Sequence, residues 1–550
     1  MVKDSVTINI PFTNKSTEPS LCFQIVRVLH VKRKKLFLGL LGCLFICPIL
    51  LYYFNVSVSN IQNVIPINEK LQKYYSDKQI TITSKTTASS ANYVQSDRQK
   101  AVVEAFRHAW KAYSKYAWGK DELRPLSKSY STWFDLGLTI VDSLDTLWIM
   151  GLESEFETAK TFAVDKLNVL VNKDVNLFET SIRVLGGLEA ACALSSDKRL
   201  CNQSVKLARA LLPAFSSPSK VVPYSDVNPA KGTAHGPNFN GEYSSTAEVT
   251  SIQLEFREAA RISGDDSLYK PALATINHVI SLPKLVNLVP IFISCRSGKF
   301  SPSSRITLGA RGDSYYEYLL KQWIQSGKKD DFFRKEFILS IQGVKDRLIA
   351  ESYPSKLKFV GELFSSSTFS PKMDHLVCFF PGVLALAHYN GLTEYGYLEL
   401  AEELTKTCYS MYTMNPTGLA GEITHYVTID HPGTKDAYVK PQDSHSLLRP
   451  ETLESLFYMY RITGDSMYQE WGWKIFQAFE KYARLNEGYC SLGTVLDVKN
   501  TAQSKMNKME SFFLAETLKY LFLLFDDSKT LLPLDEWVFN TEAHPLPIFK

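Results

Sequence analysis

The sequence lacks the short motifs that identify several common kinds of enzyme. It has no glycine-rich phosphate-binding loop, no H-E-x-x-H zinc motif and no G-x-S-x-G nucleophile turn. None of its nine cysteines are paired at C-x-x-C spacing, which argues against a zinc site. The charge is nearly balanced, because 21% of the residues are charged and the formal net charge is only +4. That excess is too small to indicate a nucleic-acid partner.

One long apolar run contains no charged residue. It covers residues 36–54 (LFLGLLGCLFICPILLYYF), and a helix of that length is about long enough to cross the hydrocarbon core of a bilayer. A basic cluster precedes the run and aromatic residues end it, which favours a type II signal anchor over a cleaved signal peptide or a buried core helix. We therefore predict a cytosolic tail at 1–35, a transmembrane anchor at 36–54, a lumenal stem at 55–98 and one large domain at 99–550.

Six cysteines follow the predicted anchor, where an oxidising lumen would allow one or two disulfides. The sequence alone does not decide how they pair. They are Cys192, Cys201, Cys295, Cys378, Cys408 and Cys490. Asn55-Val-Ser and Asn202-Gln-Ser match the N-glycosylation pattern of a lumenal chain, whereas Asn14-Lys-Ser would face the cytosol and stay unmodified.

Alternation typical of strands is sparse and short, whereas apolar residues recur at helical spacing from about residue 99 onward. The segment RISGDDSLY at 261–269 is similar to RITGDSMY at 461–468, and each follows a predicted helix. Repeated helical hairpins of this kind favour a ring of helices. We therefore predict an all-α domain in which the inner helices begin at one mouth.

Several acidic residues lie at predicted helix starts or inside apolar runs, and each has a simple structural explanation. Glu179 and Arg183 are spaced to form a surface ion pair. Asp313, Glu451 and Glu454 could compensate the dipoles of the helices that they begin, with Ser314 and Glu317 forming a capping box beside Asp313. A second capping box would join Ser245 to Glu248, and His375 beside Asp374 could be a satisfied buried histidine. Glu510 and Glu516 cannot share one helix face, so at least one of them interrupts an apolar surface.

Separate structural explanations do not account well for the occurrence of all these acids in one chain. In a ring of helices they would converge at the mouth, and dense carboxylates with aromatic rings suit a carbohydrate ligand. Hydrolysis of a glycosidic bond needs two carboxyl groups with different pKa values. The spacing by itself supports hydrolysis only as one reading among several.

Eight segments carry a more specific signal in a fixed order. They are VDSLDTL (141–147), FETSIRVLGGL (178–188), SSTAE (244–248), RGDSYYEYLLKQ (311–322), PKMDHLVCF (371–379), RPETLES (449–455), MESFFLAETLKYLFLLF (509–525) and FNTEAHPLP (539–547). From about residue 102 to 547 the chain resembles the class I α-mannosidases, glycoside hydrolase family 47. The resemblance implies an (α/α)7 barrel, bound Ca²⁺, and hydrolysis of α-1,2-linked mannose from N-glycans with inversion. It also implies a type II protein of the endoplasmic reticulum membrane or early Golgi, with its catalytic domain in the lumen.

The resemblance also assigns roles to individual residues. Glu179 corresponds to the general acid, acting through a water, Glu451 to the base and Asp313 to a third essential carboxylate. Thr541 corresponds to the direct protein ligand of calcium, through its hydroxyl and carbonyl oxygens. Cys378 and Cys408 correspond to the family's disulfide. The substrate-binding candidates are Arg183, Glu248, Arg311, Asp374, His375, Arg449, Glu454, Phe512, Glu516 and Glu542.

Arg311 is typical of the endoplasmic-reticulum subgroup, which implies conversion of Man9GlcNAc2 to Man8GlcNAc2 in glycoprotein processing and quality control. Two features differ from the family pattern: Gly421 replaces a usual proline, and the segment after Asp430 is short. A weakly catalytic mannose-binding lectin of glycoprotein degradation and a helical scaffold protein are the alternatives. The intact set of Glu179, Asp313 and Glu451 argues against the lectin.

Overall fold

The structure is a computed structural model that describes residues 86–89, 93–237, 242–364 and 368–550. The predicted anchor at 36–54, and with it most of the predicted stem, lies outside the described residues. Among the residues described, no helix combines the length and the apolar character needed to cross a membrane. The described residues all belong to one unit, Gln79–Lys550.

Helices dominate the described chain, and we number them in order. They are α1 Asp97–Tyr116, α2 Leu138–Asp142, α3 Leu144–Ile149, α4 Glu153–Asp165, α5 Leu177–Glu179, α6 Gly186–Ser195, α7 Lys198–Leu211, α8 Thr246–Thr250, α9 Gln253–Ser263, α10 Lys270–Ser281, α11 Asp313–Gln325, α12 Asp331–Arg347, α13 Phe380–Tyr389, α14 Tyr397–Thr413, α15 Glu451–Thr463, α16 Met467–Tyr482, α17 Val498–Gln503 and α18 Leu518–Leu524. Two π-helical segments, Thr180–Leu185 and Phe513–Thr517, precede α6 and α18. Short 3-10 segments cover Leu212–Ser216, His375–Phe379, Thr393–Tyr395 and Pro441–Asp443.

The strands are short and lie in the connections between helices. They are β1 Glu122–Arg124, β2 Ser129–Ser131, β3 Val175–Asn176, β4 Asp226–Asn228, β5 Thr233–His235, β6 Tyr243–Ser245, β7 Phe292–Ser294, β8 Ile349–Glu351, β9 Lys358–Val360, β10 Glu362–Leu363, β11 Phe369–Ser370, β12 Lys372–Asp374, β13 Ile423–Tyr426, β14 Ala437–Tyr438, β15 Trp537–Phe539 and β16 Pro545–Pro547. All pair antiparallel, as β1-β2, β3-β4-β5, β6-β7, β8-β9, β10-β11, β12-β13-β14 and β15-β16.

Seven of the helices pack as a closed ring. In the described chain, α3, α6, α9, α11, α13, α15 and α18 are successive packing neighbours, and the π segment Phe513–Thr517 closes the circle against α2 and α3. Each ring helix also packs against an outer helix. The outer partners are α4, α7, α10, α12, α14, α16 and, for α18, the first helix α1. The structure therefore confirms the predicted helical barrel.

The sequence pattern explains which helices lie inside the ring. All seven residues of α18 are buried, and in α13 the eight residues from Phe380 to Ala387 are buried. A helix that is apolar on all sides must be covered on all sides. The two similar segments found in the sequence occupy equivalent turns, because Gly264 ends α9 and Gly464 ends α15, both with positive φ (68° and 78°). Glycine adopts this conformation without the cost that a side chain imposes.

A C-terminal hairpin packs inside the ring. Strands β15 and β16 form a hairpin with Trp537 opposite Pro547 and Phe539 opposite Pro545. The hairpin packs against α11 and α6, and all six strand residues are buried. Its turn, residues 540–544, is therefore held in the interior of the barrel.

Two disulfides link neighbouring helical segments. Cys378 and Cys408, which the family resemblance pairs, join the 3-10 segment before α13 to α14. Cys192 and Cys201, whose pairing the sequence left open, join α6 to α7. Cys295 and Cys490 are free and buried.

Candidate active site

A cavity of about 320 Å³ opens where several ring helices begin. Eight carboxyl side chains line it together with only three guanidinium groups, so negative charge is in excess. The carboxyl groups belong to Glu179, Glu248, Asp313, Glu317, Glu451, Glu454, Glu516 and Glu542, and the guanidinium groups to Arg183, Arg311 and Arg449. Phe178, Phe379, Phe512 and Thr541 are also part of the wall. Acidic groups and flat apolar rings together suit a ligand rich in hydroxyl groups.

Glu451 is the first residue of α15. Its Oε2 lies 2.8 Å from His375 Nδ1, and its Oε1 lies 3.9 Å from the Arg449 guanidinium. The other ring nitrogen of His375 is 2.7 Å from the Tyr412 hydroxyl. Burial opposes ionisation, but His375 and Arg449 outweigh it and lower the pKa of Glu451 below its ordinary value. Glu451 is therefore ionised at neutral pH.

Asp313 is the first residue of α11, and its protonation state is opposite to that of Glu451. Burial raises its pKa to about 8, and repulsion from Glu317, Asp374 and Glu451 adds to the effect. The backbone N–H of Ser314 donates to Asp313 Oδ1 at 2.9 Å. At neutral pH this carboxyl group keeps its proton.

The capping box predicted for Ser314 and Glu317 is wrong. Helix α11 begins two residues earlier than that box requires, with Gly312 as the N-cap, and no side chain caps the helix. A Cβ at Gly312 would stand 2.1 Å from the Thr307 carbonyl oxygen, so only glycine fits there. Glu317 instead pairs with Lys321 at 2.5 Å within the helix, and its side chain lines the cavity.

Glu179 and Arg183 do not form a surface ion pair, because Arg183 bridges two acids at the cavity wall. Arg183 Nε donates to Glu179 Oε2 at 2.7 Å, and its Nη1 donates to Glu542. The Asn176 side chain caps the short helix α5 by accepting from the Glu179 N–H. The guanidinium groups of Arg183 and Arg449 each lie 5.8 Å from the centroid of the Phe512 ring.

Both π-helical segments contribute to this wall. The first, Thr180–Leu185, contains Arg183, and the second, Phe513–Thr517, contains Glu516. A π segment adds a residue to the helical turn and so changes the direction of the side chains that follow it. These two irregular turns help to direct polar side chains of otherwise apolar helices into the cavity.

Glu454, Glu516 and Glu542 are buried acids with raised pKa values, so the protein's own cations do not fully stabilise their ionised forms. Burial, followed by repulsion from Glu542 and Glu451, raises the pKa of Glu516. Burial also raises the pKa of Glu542 in spite of Arg183, and that of Glu454 to about 8 in spite of Lys321. Such a set of oxygen donors would be stabilised by a cation that prefers oxygen.

The turn of the C-terminal hairpin brings Thr541 to the same cavity. Asn540 shapes this turn, because its Oδ1 accepts the N–H groups of Glu542 and His544 at 2.9 and 2.8 Å. The Asn540 amide nitrogen donates to the Ile182 carbonyl and to Glu255. Side-chain contacts with two ring helices thus fix the backbone on both sides of Thr541.

A fully buried network holds the end of the turn. His544 Nδ1 lies 2.9 Å from Asp145 and its Nε2 lies 3.2 Å from Asp142. Lys519 Nζ donates to Asp145 at 2.7 Å and to the Ala543 carbonyl at 2.8 Å. Burial disfavours the charged imidazole, but Asp145 and Asp142 raise the pKa of His544 above its ordinary value. The network joins α2, α3 and α18 to the turn that carries Thr541.

Sequence reasoning did not single out the residues of this network. The available signal was two aspartates three residues apart in the apolar segment VDSLDTL, and a lysine inside the apolar helix α18. Unpaired charges are rare in such surroundings.

Twelve predicted site residues meet at the cavity. They are Glu179, Arg183, Glu248, Arg311, Asp313, Arg449, Glu451, Glu454, Phe512, Glu516, Thr541 and Glu542. The structure does not place His375 and Asp374 in its wall. His375 lies behind Glu451, and Asp374 lies beneath the loop before α11, with Oδ2 3.4 Å from the Ala310 N–H and Oδ1 2.9 Å from Lys372. Glu317, Phe178 and Phe379 also line the cavity, and none of them was among the predicted site residues.

Arg311 stands between this cavity and a smaller one of about 220 Å³, which it shares with Glu248 and Ser245. Its guanidinium is 3.6 Å from Glu248 and 5.4 Å from the centre of the Phe292 ring. Asn176 and Asp226 supply further polar groups to the smaller cavity. A ligand longer than one sugar unit would therefore pass Arg311.

The donor set fits a hard cation bound largely through water and ligand oxygens. Within the described ranges, no group of three or more His, Cys, Asp or Glu side chains is arranged as a direct metal cage. Glu516 and Glu542 line the same cavity as Thr541, and their raised pKa values mean that a bound cation would stabilise their ionised forms. This chemistry suits Ca²⁺, which takes carboxylate, carbonyl, hydroxyl and water oxygens.

A solved structure shares this architecture. The α-1,2-mannosidase from Trichoderma reesei superposes with a TM-score of 0.76 at 27% identity, covering 82% of this chain and 99% of that protein. A helical barrel with an acidic, aromatic-lined cavity at the helix starts is thus the scaffold of a carbohydrate-active protein. The sequence profile of glycosyl hydrolase family 47 matches residues 105–548, and the chain belongs to that family.

Relatives from animals and plants agree with this assignment. The human endoplasmic reticulum mannosyl-oligosaccharide 1,2-alpha-mannosidase is 53% identical over 454 residues, which cover 82% of this chain and 64% of the human protein. The chain thus spans somewhat less than two thirds of that relative's length. A mannosyl-oligosaccharide 1,2-alpha-mannosidase from Arabidopsis thaliana is 45% identical over 515 residues, covering 85% of this chain and 81% of the plant protein.

Proposed function

We propose that the protein is a calcium-dependent, inverting exo-α-1,2-mannosidase that trims high-mannose N-glycans, converting Man9GlcNAc2 to Man8GlcNAc2. One observation carries the proposal: the acids that begin separate ring helices meet in one cavity beside Thr541 of the C-terminal turn. Membership of glycosyl hydrolase family 47 and the printed activities of the relatives support it.

The protonation states support a division of labour among the carboxyl groups. Glu451, which His375 orients and keeps ionised, is the base that takes a proton from the attacking water. Glu179, held by Arg183, is the acid that assists departure of the leaving sugar through a water. Asp313 keeps its proton at neutral pH and donates a hydrogen bond inside the cavity. Inversion requires the water to attack from the face opposite the leaving group, so the acid and the base act on opposite faces.

Calcium would be held by Thr541, with Glu516 and Glu542 compensating its charge and orienting its waters. When bound, the cation supplies positive charge and oxygen coordination that position the terminal sugar. The chain's own contribution is the buried turn, which Asn540 and His544 hold in place before any ligand arrives.

Substrate contacts follow from the shape of the site. Phe512 lines the cavity and offers an apolar contact to a sugar ring, and Glu248 and Glu454 accept hydrogen bonds from hydroxyl groups. Arg311, at the junction of the two cavities, contacts the next sugars of the branch and favours the middle branch. His375 and Asp374 act from behind the wall, as positioning residues for Glu451 and for the loop of Arg311.

The sequence supports a specific topology for this enzyme. We assign residues 1–35 to the cytosol, 36–54 to a type II signal anchor, 55–98 to a stem and 99–550 to an (α/α)7 catalytic domain in the lumen. The order in which the ring and outer helices pack supports the sevenfold pairing. The names of the mammalian relatives favour the endoplasmic reticulum membrane over the early Golgi.

Release of free mannose from Man9GlcNAc2 tests the proposal. We expect release by the purified protein to stop when a calcium chelator is added and to return with excess Ca²⁺. Product analysis by NMR should give a single Man8 isomer that lacks the terminal mannose of the middle branch. Binding of the glycan without release at any calcium concentration would instead favour the mannose-binding lectin. Absence of both binding and release would favour the scaffold protein.

A further inference from the structure

The sequon Asn202-Gln-Ser lies within α7, and its three residues point in three directions. Asn202 is exposed on the outer surface. The Gln203 amide donates to the carbonyls of Ala163 and Val164 at the end of α4, at 3.2 Å each. Ser204 is fully buried, and its hydroxyl donates to the Cys201 carbonyl at 2.8 Å.

This arrangement separates the two groups that glycosylation needs together. The reaction modifies the asparagine amide and depends on the hydroxyl two residues later. In an α-helix, residues two apart are about 200° apart around the axis and do not face each other. With its hydroxyl buried and its central residue bound to α4, the folded sequon cannot present both groups to one enzyme.

The folded protein nevertheless has room for a glycan at this position. The Asn202 side chain borders an open surface cavity of about 750 Å³. Lys206, Arg209, Leu170 and Ile262 also line this cavity, which is separate from the acidic one. A glycan attached earlier therefore does not prevent α7 from packing.

A disulfide lies directly beside the sequon. Cys201 precedes Asn202 and is bonded to Cys192 of α6, with a sequence separation of 9. So short a link fixes α7 against α6 as a hairpin, and α7 also packs against α4 and α9. Closing this disulfide commits the sequon to its helical position.

We propose that Asn202 is an N-glycosylation site that is used only before α7 folds, and that closure of the Cys192–Cys201 disulfide ends its use. This inference rests on the lumenal placement in the proposed function. The Asn202 Nδ2 forms a bond to C1 of N-acetylglucosamine and loses one proton, while the bond from C1 to the diphosphate of a lipid-linked oligosaccharide donor breaks. Disulfide closure transfers two electrons and two protons from the thiols of Cys192 and Cys201 to a lumenal protein disulfide, which is reduced.

Translation of the full chain into microsomes tests this proposal. An Asn55→Gln background leaves Asn202 as the acceptor on the lumenal side, and an endoglycosidase-sensitive gel shift measures the glycosylated fraction. Cys192→Ser removes the disulfide without changing the sequon or its neighbours in the chain. Cys378→Ser is the matched control, because it removes the other disulfide, which joins α14 to the segment before α13. Ser204→Ala verifies that the shift comes from Asn202.

We expect partial glycosylation of the parent chain, a higher fraction in Cys192→Ser, and no increase in Cys378→Ser. Three results would overturn the proposal: complete glycosylation of the parent chain, an equal increase in both cysteine variants, or no glycosylation of Cys192→Ser. Protease protection in the same microsomes tests the lumenal placement of the chain separately from the glycosylation of Asn202. A digested chain overturns the lumenal placement and this proposal with it, whereas a protected but unmodified Cys192→Ser chain overturns this proposal alone.

Discussion

Glu451 and Asp313 are both partly buried carboxyl groups at the first position of a ring helix, yet their neighbours give them opposite protonation states. His375 and Arg449 stabilise the charged form of Glu451, whereas burial and repulsion from neighbouring acids outweigh the Ser314 N–H at Asp313. Pairs of carboxyl groups with separated pKa values are how one site provides both a base and a proton donor. A sequence shows that both residues begin helices, but it does not show which neighbours they meet.

Glu451→Gln tests the role of the base. The amide oxygen can still accept a hydrogen bond from His375, so we expect the variant to fold with an unchanged melting temperature. Loss of a general base typically lowers the rate by about 10²–10⁴-fold, and we expect kcat for mannose release to fall in that range. Glu104→Gln, at an exposed position on α1, is the control and should keep full activity. A Glu451→Gln enzyme with wild-type kcat would contradict the assignment.

The pH dependence of kcat/KM reports the protonation state of Asp313. Its pKa is raised to about 8, so the proton is present below that pH and is lost as the pH rises through it. Glu451, with a lowered pKa, stays ionised throughout this range. We therefore expect activity to decline near pH 8 in the wild type.

Burial also raises the pKa of Glu454 to about 8, so Glu454 could cause the same decline in activity. Two variants identify which of the two groups is responsible. Asp313→Asn should have low activity without the alkaline decline, since asparagine does not titrate. Glu454→Gln should retain the decline. If the residual activity of Asp313→Asn still declines near pH 8 as in the wild type, another group is responsible for the decline.

The C-terminal turn is the element on which the site most depends, and it is held mainly by residues far away in sequence. His544 contacts Asp145 across a separation of 399 residues, and Lys519 reaches both Asp145 and the Ala543 carbonyl. Local pattern reasoning cannot find such pairs, which is why the network was absent from the prediction while Thr541 itself was found by family resemblance. The same limit applies to Cys192 and Cys201, whose pairing becomes evident only when α6 and α7 form a hairpin.

Lys519→Met tests the importance of the network for the turn. Methionine fills a similar volume but cannot donate a hydrogen bond. Asp145 then keeps only His544 as a cationic partner, and the Ala543 carbonyl loses the hydrogen bond from Lys519. Removing one member of a buried charged pair typically costs about 3–5 kcal/mol, and we expect a loss of that order in the free energy of unfolding. Lys100→Met, which removes an exposed pair with Asp97, should leave the free energy of unfolding nearly unchanged, because solvent screens such a pair. Equal stability of the two variants in denaturant titrations would contradict the account.

The closed ring could be predicted from the sequence to a useful extent. Helical spacing and the repeated RI(S/T)GD segments correctly indicated paired helices, and acids at helix starts correctly indicated convergence at one mouth. The direction in which each acidic side chain points could be predicted less well. Glu317 was assigned to a cap although it lines the cavity, and Asp374 and His375 lie behind the wall because β12 and the following 3-10 turn direct them away from it. Such details depend on helix boundaries shifted by one or two residues and on irregular turns, which spacing does not resolve.

In the proposed function, the acids of the ring helices and Thr541 of the C-terminal turn form one calcium-dependent site. The most direct test is mannose release from Man9GlcNAc2 as free Ca²⁺ is titrated into wild-type protein and the Thr541→Ala variant. Losing a hydrogen-bonding contact to a charge costs about 1.5–3 kcal/mol, so we predict that the calcium concentration at half-maximal release rises roughly 10- to 100-fold in the variant. Release that does not depend on calcium, or equal midpoints for the two proteins, would contradict the account.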